Sequence, residues 1–230
     1  MVRAVLFDFN GVLVDDEPVH LALLQRVLGE EGVELSEEDY WSLYVGLDDR
    51  ACFRTLLEGA GKAPTGPHLM RLIARKASYY QDWIRREGYT FFPGAPELVA
   101  GLSEAGIALG LVSGGLRDEV EGGLRQAGLR ERFKVVVTAE DVDRGKPDPE
   151  GYRRGIELLN AVPPLPDRLL HPHEALAVED TPAGLEAARL AGLSTVAVAH
   201  TYPKDALSGA DHVVARIGDL EVDDLLATPV

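Results

Sequence analysis

Four stretches of this sequence carry side chains whose types and spacing could do chemistry. Asp8 stands in FDFNGVLVDDEP, with Asn10 two residues on and Gly11 next. Ser113-Gly114-Gly115 follows the apolar run IALGLV. Lys146 is set among turn residues in GKPDP, and Glu179-Asp180 close the run ALAV just before Thr181-Pro182. A lone acid at a strand end caps a turn as readily as it reacts. Brought to one place, the four offer a nucleophilic carboxylate, a hydroxyl with a glycine turn, a cation and two more carboxylates. That set suits phosphoryl transfer. Asp8, Glu179 and Asp180 repel one another unless a divalent cation lies among them, and hard carboxylate oxygens select Mg²⁺. Lys146, Ser113 and the amides of the turn at Gly114 would neutralise and hold phosphoryl oxygens. A carboxylate beside a held phosphate can attack it to give an aspartyl-phosphate.

The elements that must position these residues are legible as apolar runs. Residues 2–7, 107–112, 135–138, 175–178, 195–198 and, more weakly, 212–214 are short and nearly continuous in apolar side chains. Strands of that kind belong to a sheet covered on both faces. Helical patterns at 95–105, 117–127, 149–159, 183–191 and 219–226 alternate with them, which predicts an α/β fold built on a doubly wound parallel sheet. In such a sheet all the motif-bearing strand ends share one edge. Between the first two strands the rhythm breaks. Residues 17–28, 36–44, 50–58 and 67–86 read as helices, and 59–66 (GAGKAPTG) as a loop. Ser36 with Asp39 resembles a capping start, and Pro67 suits a first helical turn. The expected organisation is a Rossmann-like core of 1–15 and 94–230 with an inserted α-helical cap domain at 16–93, over the sheet edge where ligands bind.

Composition narrows the partners. The 230 residues carry 23 Lys+Arg against 38 Asp+Glu, a formal charge of −15, so nucleic acid and anionic membrane are excluded as partners. The 46% apolar fraction supports a packed core. Cys52 is the single cysteine, and no signal peptide or apolar membrane span is expected. A cytoplasmic monomer or weak dimer, acting on a small phosphorylated metabolite, is the expectation. His171-Pro172-His173 follows a Pro-rich stretch, but two histidines fall short of the three or four ligands a metal site needs.

FDFNGVLVD, LVSGG, GKPDP and AVEDTPAGLEAARLAG, in that order, resemble the four motifs of the haloacid dehalogenase (HAD) superfamily. The helical insertion, entered through DDEPVH, resembles the branch containing β-phosphoglucomutase and phosphoglycolate phosphatase. The resemblance spans essentially the whole chain. It implies Asp8 as nucleophile and metal ligand, the backbone carbonyl of Asn10 and the side chain of Asp180 as further Mg²⁺ ligands, and Glu179 assisting directly or through water. Ser113 and Lys146 would bind phosphate. In the cap, His20 shares a stripe with Leu23, Leu24, Val27 and Leu28, the pattern of a core histidine, yet family members carry a histidine there. Lys76 sits among Leu69, Leu72, Ile73 and Tyr80, where its stem could snorkel from a helix flank. Arg50 follows Gly46-Leu47-Asp48-Asp49 and could meet a second anionic group of a substrate. Cys52 reads as a small buried hydrophobe.

One departure stands out. Family phosphatases and phosphomutases carry an aspartate two residues after the nucleophile, where it protonates the leaving group and activates water. Here that residue is Asn10, an amide that exchanges no proton near neutral pH. The expectation is therefore a Mg²⁺-dependent HAD-type phosphohydrolase attenuated by Asn10. The alternatives are a catalytically weak phosphometabolite-binding or regulatory protein and a β-phosphoglucomutase-like phosphomutase. Phosphonate cleavage would instead require a Schiff base on Lys62 or Lys76.

Overall fold

In chain order the elements are β1 (Ala4–Phe7), α1 (Glu17–Glu30), α2 (Glu37–Asp39), α3 (Asp49–Gly59), α4 (Gly66–Glu87), α5 (Ala95–Glu104), β2 (Ala108–Val112), α6 (Arg117–Gln126), β3 (Val135–Val137), α7 (Glu150–Ala161), β4 (Ala175–Glu179), α8 (Pro182–Ala191), β5 (Ser194–Val198), β6 (His212–Val214) and α9 (Val222–Ala227). The structure is a computed structural model and describes residues 1–227. β1 reads AVLF and is buried throughout, as a strand without a polar side chain must be. The six strands form one sheet in the order β3-β2-β1-β4-β5-β6, with every neighbouring pair parallel. The chain winds outward from β1 through β2 to β3, then returns to the other side of β1 for β4, β5 and β6. At such a reversal the strand ends open a crevice, and ligands of open α/β sheets bind there.

Two units divide the described residues. The first joins Met1–Asp15 with the chain from Tyr89 onward, and the second is Asp16–Gly88. Tyr89 is drawn to the sheet unit by local bonds: its hydroxyl donates to the Glu119 carbonyl at 2.7 Å, and its backbone exchanges two 2.9 Å bonds with the Gln126 amide. Val14 pairs antiparallel with Phe91, and the Asp15 N–H donates to the Thr90 carbonyl at 2.8 Å. Residues 89–93 therefore lie with the sheet, ahead of the 93/94 junction expected from sequence. The second unit is helical. Leu24, Val27 and Leu28 of α1, Phe53 and Leu57 of α3, and Leu69, Leu72 and Tyr80 of α4 are buried at helical spacing. Ser36 caps α2 through its bond from the Asp39 N–H, Asp48 caps α3, and Thr65 caps α4 with Pro67 in the first turn. The helix expected over 36–44 is regular only for Glu37–Asp39. Tyr40–Tyr44 continues it as a wider π turn, closed by Val45 N–H to the Tyr40 carbonyl at 2.9 Å. Among the described residues no helix is long and apolar enough to cross a membrane.

Leu6 shows how tightly the sheet core is filled. It pairs with Gly110 and Ala177 across the ladders and is fully buried. A Cβ at Gly155 of α7 would stand 2.7 Å from Leu6 Cδ2, so the helix reaches the sheet only because glycine occupies that position. Leu6→Ala should therefore leave a void that the backbone cannot close, costing about 2–5 kcal/mol in urea unfolding. A loss under about 1 kcal/mol would contradict this packing.

Candidate active site

The parallel ladders carry the motif residues to one edge. The Asp8 N–H donates to the Val178 carbonyl at 3.0 Å, one step beyond β1, so Asp8 lies beside the end of β4 where Glu179 and Asp180 stand. The Ser113 N–H bonds the Val137 carbonyl at 3.0 Å in the same way beyond β2. Lys146 arrives from the loop between β3 and α7. Asp148 N–H to the Gly145 carbonyl (3.0 Å) and Glu150 N–H to Asp148 Oδ1 (3.0 Å) hold that loop, and the Lys146–Pro147 bond is cis.

Lys146 is the hub. Its Nζ lies 2.9 Å from Asp8 Oδ1 and 2.5 Å from Glu179 Oε1, and 5.5 Å from the centre of the Tyr152 ring. The Tyr152 hydroxyl also donates to Glu179 Oε1, at 2.6 Å. Burial lifts the Asp8 carboxyl to about 6 against the pull of Lys146, with Glu179 adding to the rise. Burial and the two neighbouring acids raise Asp180 well above the carboxylate range. Burial by itself would lower Lys146, but Asp8 and Glu179 hold the ammonium charged and raise it.

Asp8, Glu179 and Asp180 each bring a carboxylate oxygen within 4.8 Å of the others. Asp180 gives Oδ2 to the Thr201 hydroxyl, while its Oδ1 is buried without a hydrogen-bond partner. An orphaned acid oxygen beside two other carboxylates fits a hard divalent cation. Glu179 fits it less well than the sequence suggested. Its Oε1 is taken by Lys146 and Tyr152, its Oε2 lies 3.3 Å from the Asp180 N–H, and a Cβ at Gly184 would sit 2.0 Å from Oε2. Glu179 is turned towards the lysine and the start of α8.

Asn10 and Ser113 meet at the glycine turn. A Cβ on Gly115 would lie 3.3 Å from both Asn10 Oδ1 and Ser113 Oγ, and the Gly115 N–H donates to Ser113 Oγ at 3.0 Å. Gly114 is exposed at the tip, where a Cβ would meet nothing within 4 Å. The remaining candidates lie in the helical unit. His20 Nδ1 stands 3.0 Å from Lys76 Nζ, which also donates to Asp49 Oδ1 at 2.5 Å, and His20 Nε2 is 3.3 Å from Asp16 Oδ2. Lys76 is therefore buried and ion-paired rather than snorkelling. Arg50 is exposed, with Nη2 at 3.1 Å from Met70 Sδ. Lys62 Nζ bonds the Glu31 carbonyl. Cys52 is buried, and burial pushes its thiol to about 12, which leaves it unreactive. His171 and His173 stack on each other with centroids 5.6 Å apart, and among the described residues the one metal-type cluster is the acidic one. Sequence reasoning missed Tyr152 and Thr201. Tyr152 shows in the sequence only as one more apolar-face residue of α7, and Thr201 only as loop polarity after β5.

A family model for haloacid dehalogenase-like hydrolases matches residues 5–198. The chain belongs to that family. Validoxylamine A 7′-phosphate phosphatase of Streptomyces hygroscopicus subsp. limoneus is 29% identical over 211 residues, 92% of each chain. Hexitol phosphatase A of Escherichia coli (strain K12) is 30% identical over 220 residues, 96% of this chain and 94% of the relative. Among solved structures, CbbY of Rhodobacter sphaeroides in complex with phosphate superposes with a TM-score of 0.82 at 25% identity, covering 96% of both chains. A β-phosphoglucomutase from Clostridium difficile, 22% identical, shares the fold at a TM-score of 0.84 over 98% of this chain and 96% of that one. The protein is thus a HAD-family enzyme of the phosphatase type.

The raised Asp8 value has a consequence for the metal-free protein. Its folded pKa of about 6 exceeds the ordinary 3.8, so ionising Asp8 opposes folding. That penalty is absent below the ordinary value and complete above the raised one. In EDTA, Asp8→Asn should be more stable than wild type at about pH 7.5, with the gap closing as the pH falls from about 6 to about 4. Urea unfolding across that range measures it; a gap that widens towards acid would reverse the assignment.

Proposed function

We propose that this protein hydrolyses phosphate monoesters of small phosphorylated metabolites through an aspartyl-phosphate on Asp8, with turnover of alkyl phosphates attenuated by Asn10. The observation that carries this reading is the Asp8–Lys146 contact beside two further buried acids at the carboxyl edge of the sheet. The named phosphatase relatives support the substrate class. Asp8, the Asn10 carbonyl and Asp180 would hold Mg²⁺, with Glu179 assisting through its neighbours. Bound there, Mg²⁺ supplies positive charge that offsets the acids and the phosphoryl oxygens.

This chain's own residues do the rest. Ser113 and Lys146 hold the phosphoryl oxygens, and the Glu179–Tyr152 pair keeps the Lys146 ammonium aimed at them. An Asp8 oxygen attacks phosphorus, the bond to the leaving oxygen breaks, and that oxygen departs with the electron pair. Water then attacks the phosphorus, the Asp8–phosphorus bond breaks, and inorganic phosphate is released. Asn10 sits at the Ser113–Gly115 turn but has no acidic proton for the leaving oxygen. A phosphomutase must exchange protons with two hydroxyls in turn, so Asn10 disfavours that variant. The same residue supports the second reading, a phosphometabolite-binding protein that keeps the pocket and lacks turnover.

Leaving groups that depart as stable anions need proton donation least. Wild type should turn over p-nitrophenyl or acetyl phosphate, show little activity on sugar phosphates, and accumulate a base-labile phosphoenzyme that Asp8→Asn lacks. Asn10→Asp should gain roughly 10²-fold or more on alkyl phosphates in a phosphate-release assay with Mg²⁺. Wild-type turnover of an alkyl phosphate faster than about 10 s⁻¹ would remove Asn10 from the explanation. No turnover of any phosphate by either protein would favour the binding reading.

A further inference from the structure

Both ring nitrogens of His200, in the turn after β5, are engaged within the sheet unit. Nδ1 lies 2.8 Å from the Gly11 carbonyl oxygen, and the Ile217 backbone N–H donates to Nε2 at 3.1 Å. A carbonyl can only accept and a backbone N–H can only donate, so these partners fix the neutral ring with its proton on Nδ1. The Phe92 ring stacks on the imidazole, centroids 3.8 Å apart and planes 25° apart.

What His200 grips is the turn that follows the nucleophile. Gly11 is left-handed (φ 73°), and a Cβ there would stand 2.0 Å from Asp180 Oδ2 and 2.8 Å from Thr201 Oγ1. Its N–H donates to the Val14 carbonyl at 2.9 Å, while its carbonyl receives His200. The peptide planes on both sides of Gly11 are thereby pinned. Because a trans peptide points its C=O opposite its N–H, the plane that aims Gly11 N–H at Val14 aims the Asn10 carbonyl the other way. The next residue, Thr201, ties down Asp180 Oδ2. Two consecutive side chains after β5 hold the Asn10–Gly11 turn and the Asp180 carboxylate from one side.

We propose that His200 is a positioning residue of the catalytic centre: its Nδ1–H fixes the Gly11 carbonyl on one side of Gly11 and, together with the Gly11 N–H bond to Val14 on the other, holds the turn that directs the Asn10 carbonyl beside Asp8 and Asp180. The inference rests on the proposed assignment of Asp8, the Asn10 carbonyl and Asp180 to Mg²⁺. Partners one step removed from a metal's ligands matter because they orient those ligands before the ion arrives.

The test compares wild type with His200→Phe, which keeps a ring over Phe92 without its nitrogens, and His200→Asn, which keeps an N–H near the Nδ1 position. His200→Phe should weaken calorimetric Mg²⁺ binding about tenfold or more and lower kcat on p-nitrophenyl phosphate by a similar factor with little change in KM. In the metal-free protein it should speed amide exchange at Gly11 and Leu13–Val14. His200→Asn should recover most of each loss. A lower melting temperature with wild-type Mg²⁺ affinity, kcat and exchange would make His200 merely structural and overturn the proposal. If His200→Phe does not fold, His200→Gln replaces it, since its amide reaches the Nε2 side and Ile217 instead. Equal behaviour of the Gln and Asn variants would then overturn the proposal. Should wild type itself bind no Mg²⁺, the metal assignment fails, and the exchange comparison still decides whether His200 holds the turn.

Discussion

Three carboxylates and one ammonium share the carboxyl edge of this sheet, and much of the local structure answers that imbalance. Asp8, Glu179 and Asp180 lie within 4.8 Å of one another where burial raises the cost of charge. Lys146 offsets part of it by touching Asp8 and Glu179 together. What remains falls on Asp180, whose Oδ1 has no protein partner. A pocket with surplus negative charge and an unsatisfied hard oxygen is poised for a divalent cation, and phosphate chemistry becomes reasonable there only with that charge balanced.

Glycines let these charges come so close. Gly184 opens the first turn of α8 so that the Glu179 carboxylate can lie against the helix backbone, and Gly11 lets the turn after Asp8 pass directly over Asp180. The Thr181 hydroxyl caps α8 in the same few residues, which sets the helix start beside the acids. Tyr152, from the first turn of α7, adds a hydroxyl donor to Glu179. Lysine, glutamate and tyrosine thus form one connected network, with Glu179 ion-paired to Lys146 and hydrogen-bonded by Tyr152.

Within the family, the chain brings Asp8, Lys146, Glu179 and Asp180 together while carrying an amide at residue 10. Asn10 lies beside Ser113 at the glycine turn, so it is placed at the site without titrating there. The physical division is between charge, which Lys146 and the three acids carry at this edge, and proton exchange, which an amide does not perform near neutral pH.

Apolar runs and motif spacing were enough to reveal the sheet and the roster of motif residues. Runs such as AVLF and ALAV are apolar on successive positions, as a strand covered on both faces tolerates, and a parallel sheet aligns every strand end that follows such a run. Asp8, Ser113, Glu179 and Asp180 were therefore legible from position alone. It took the folded chain to show that Glu179 faces Lys146 and Tyr152, that Lys76 is buried against Asp49 and His20, and that residues 89–93 lie with the sheet. The fold likewise brings His200 back across 189 residues to Gly11. Hydrophobic periodicity records which face of an element is covered, because burial of apolar area is non-directional. A hydrogen bond or ion pair depends on the direction and distance of one atom from another, often far along the chain, and no local pattern encodes that.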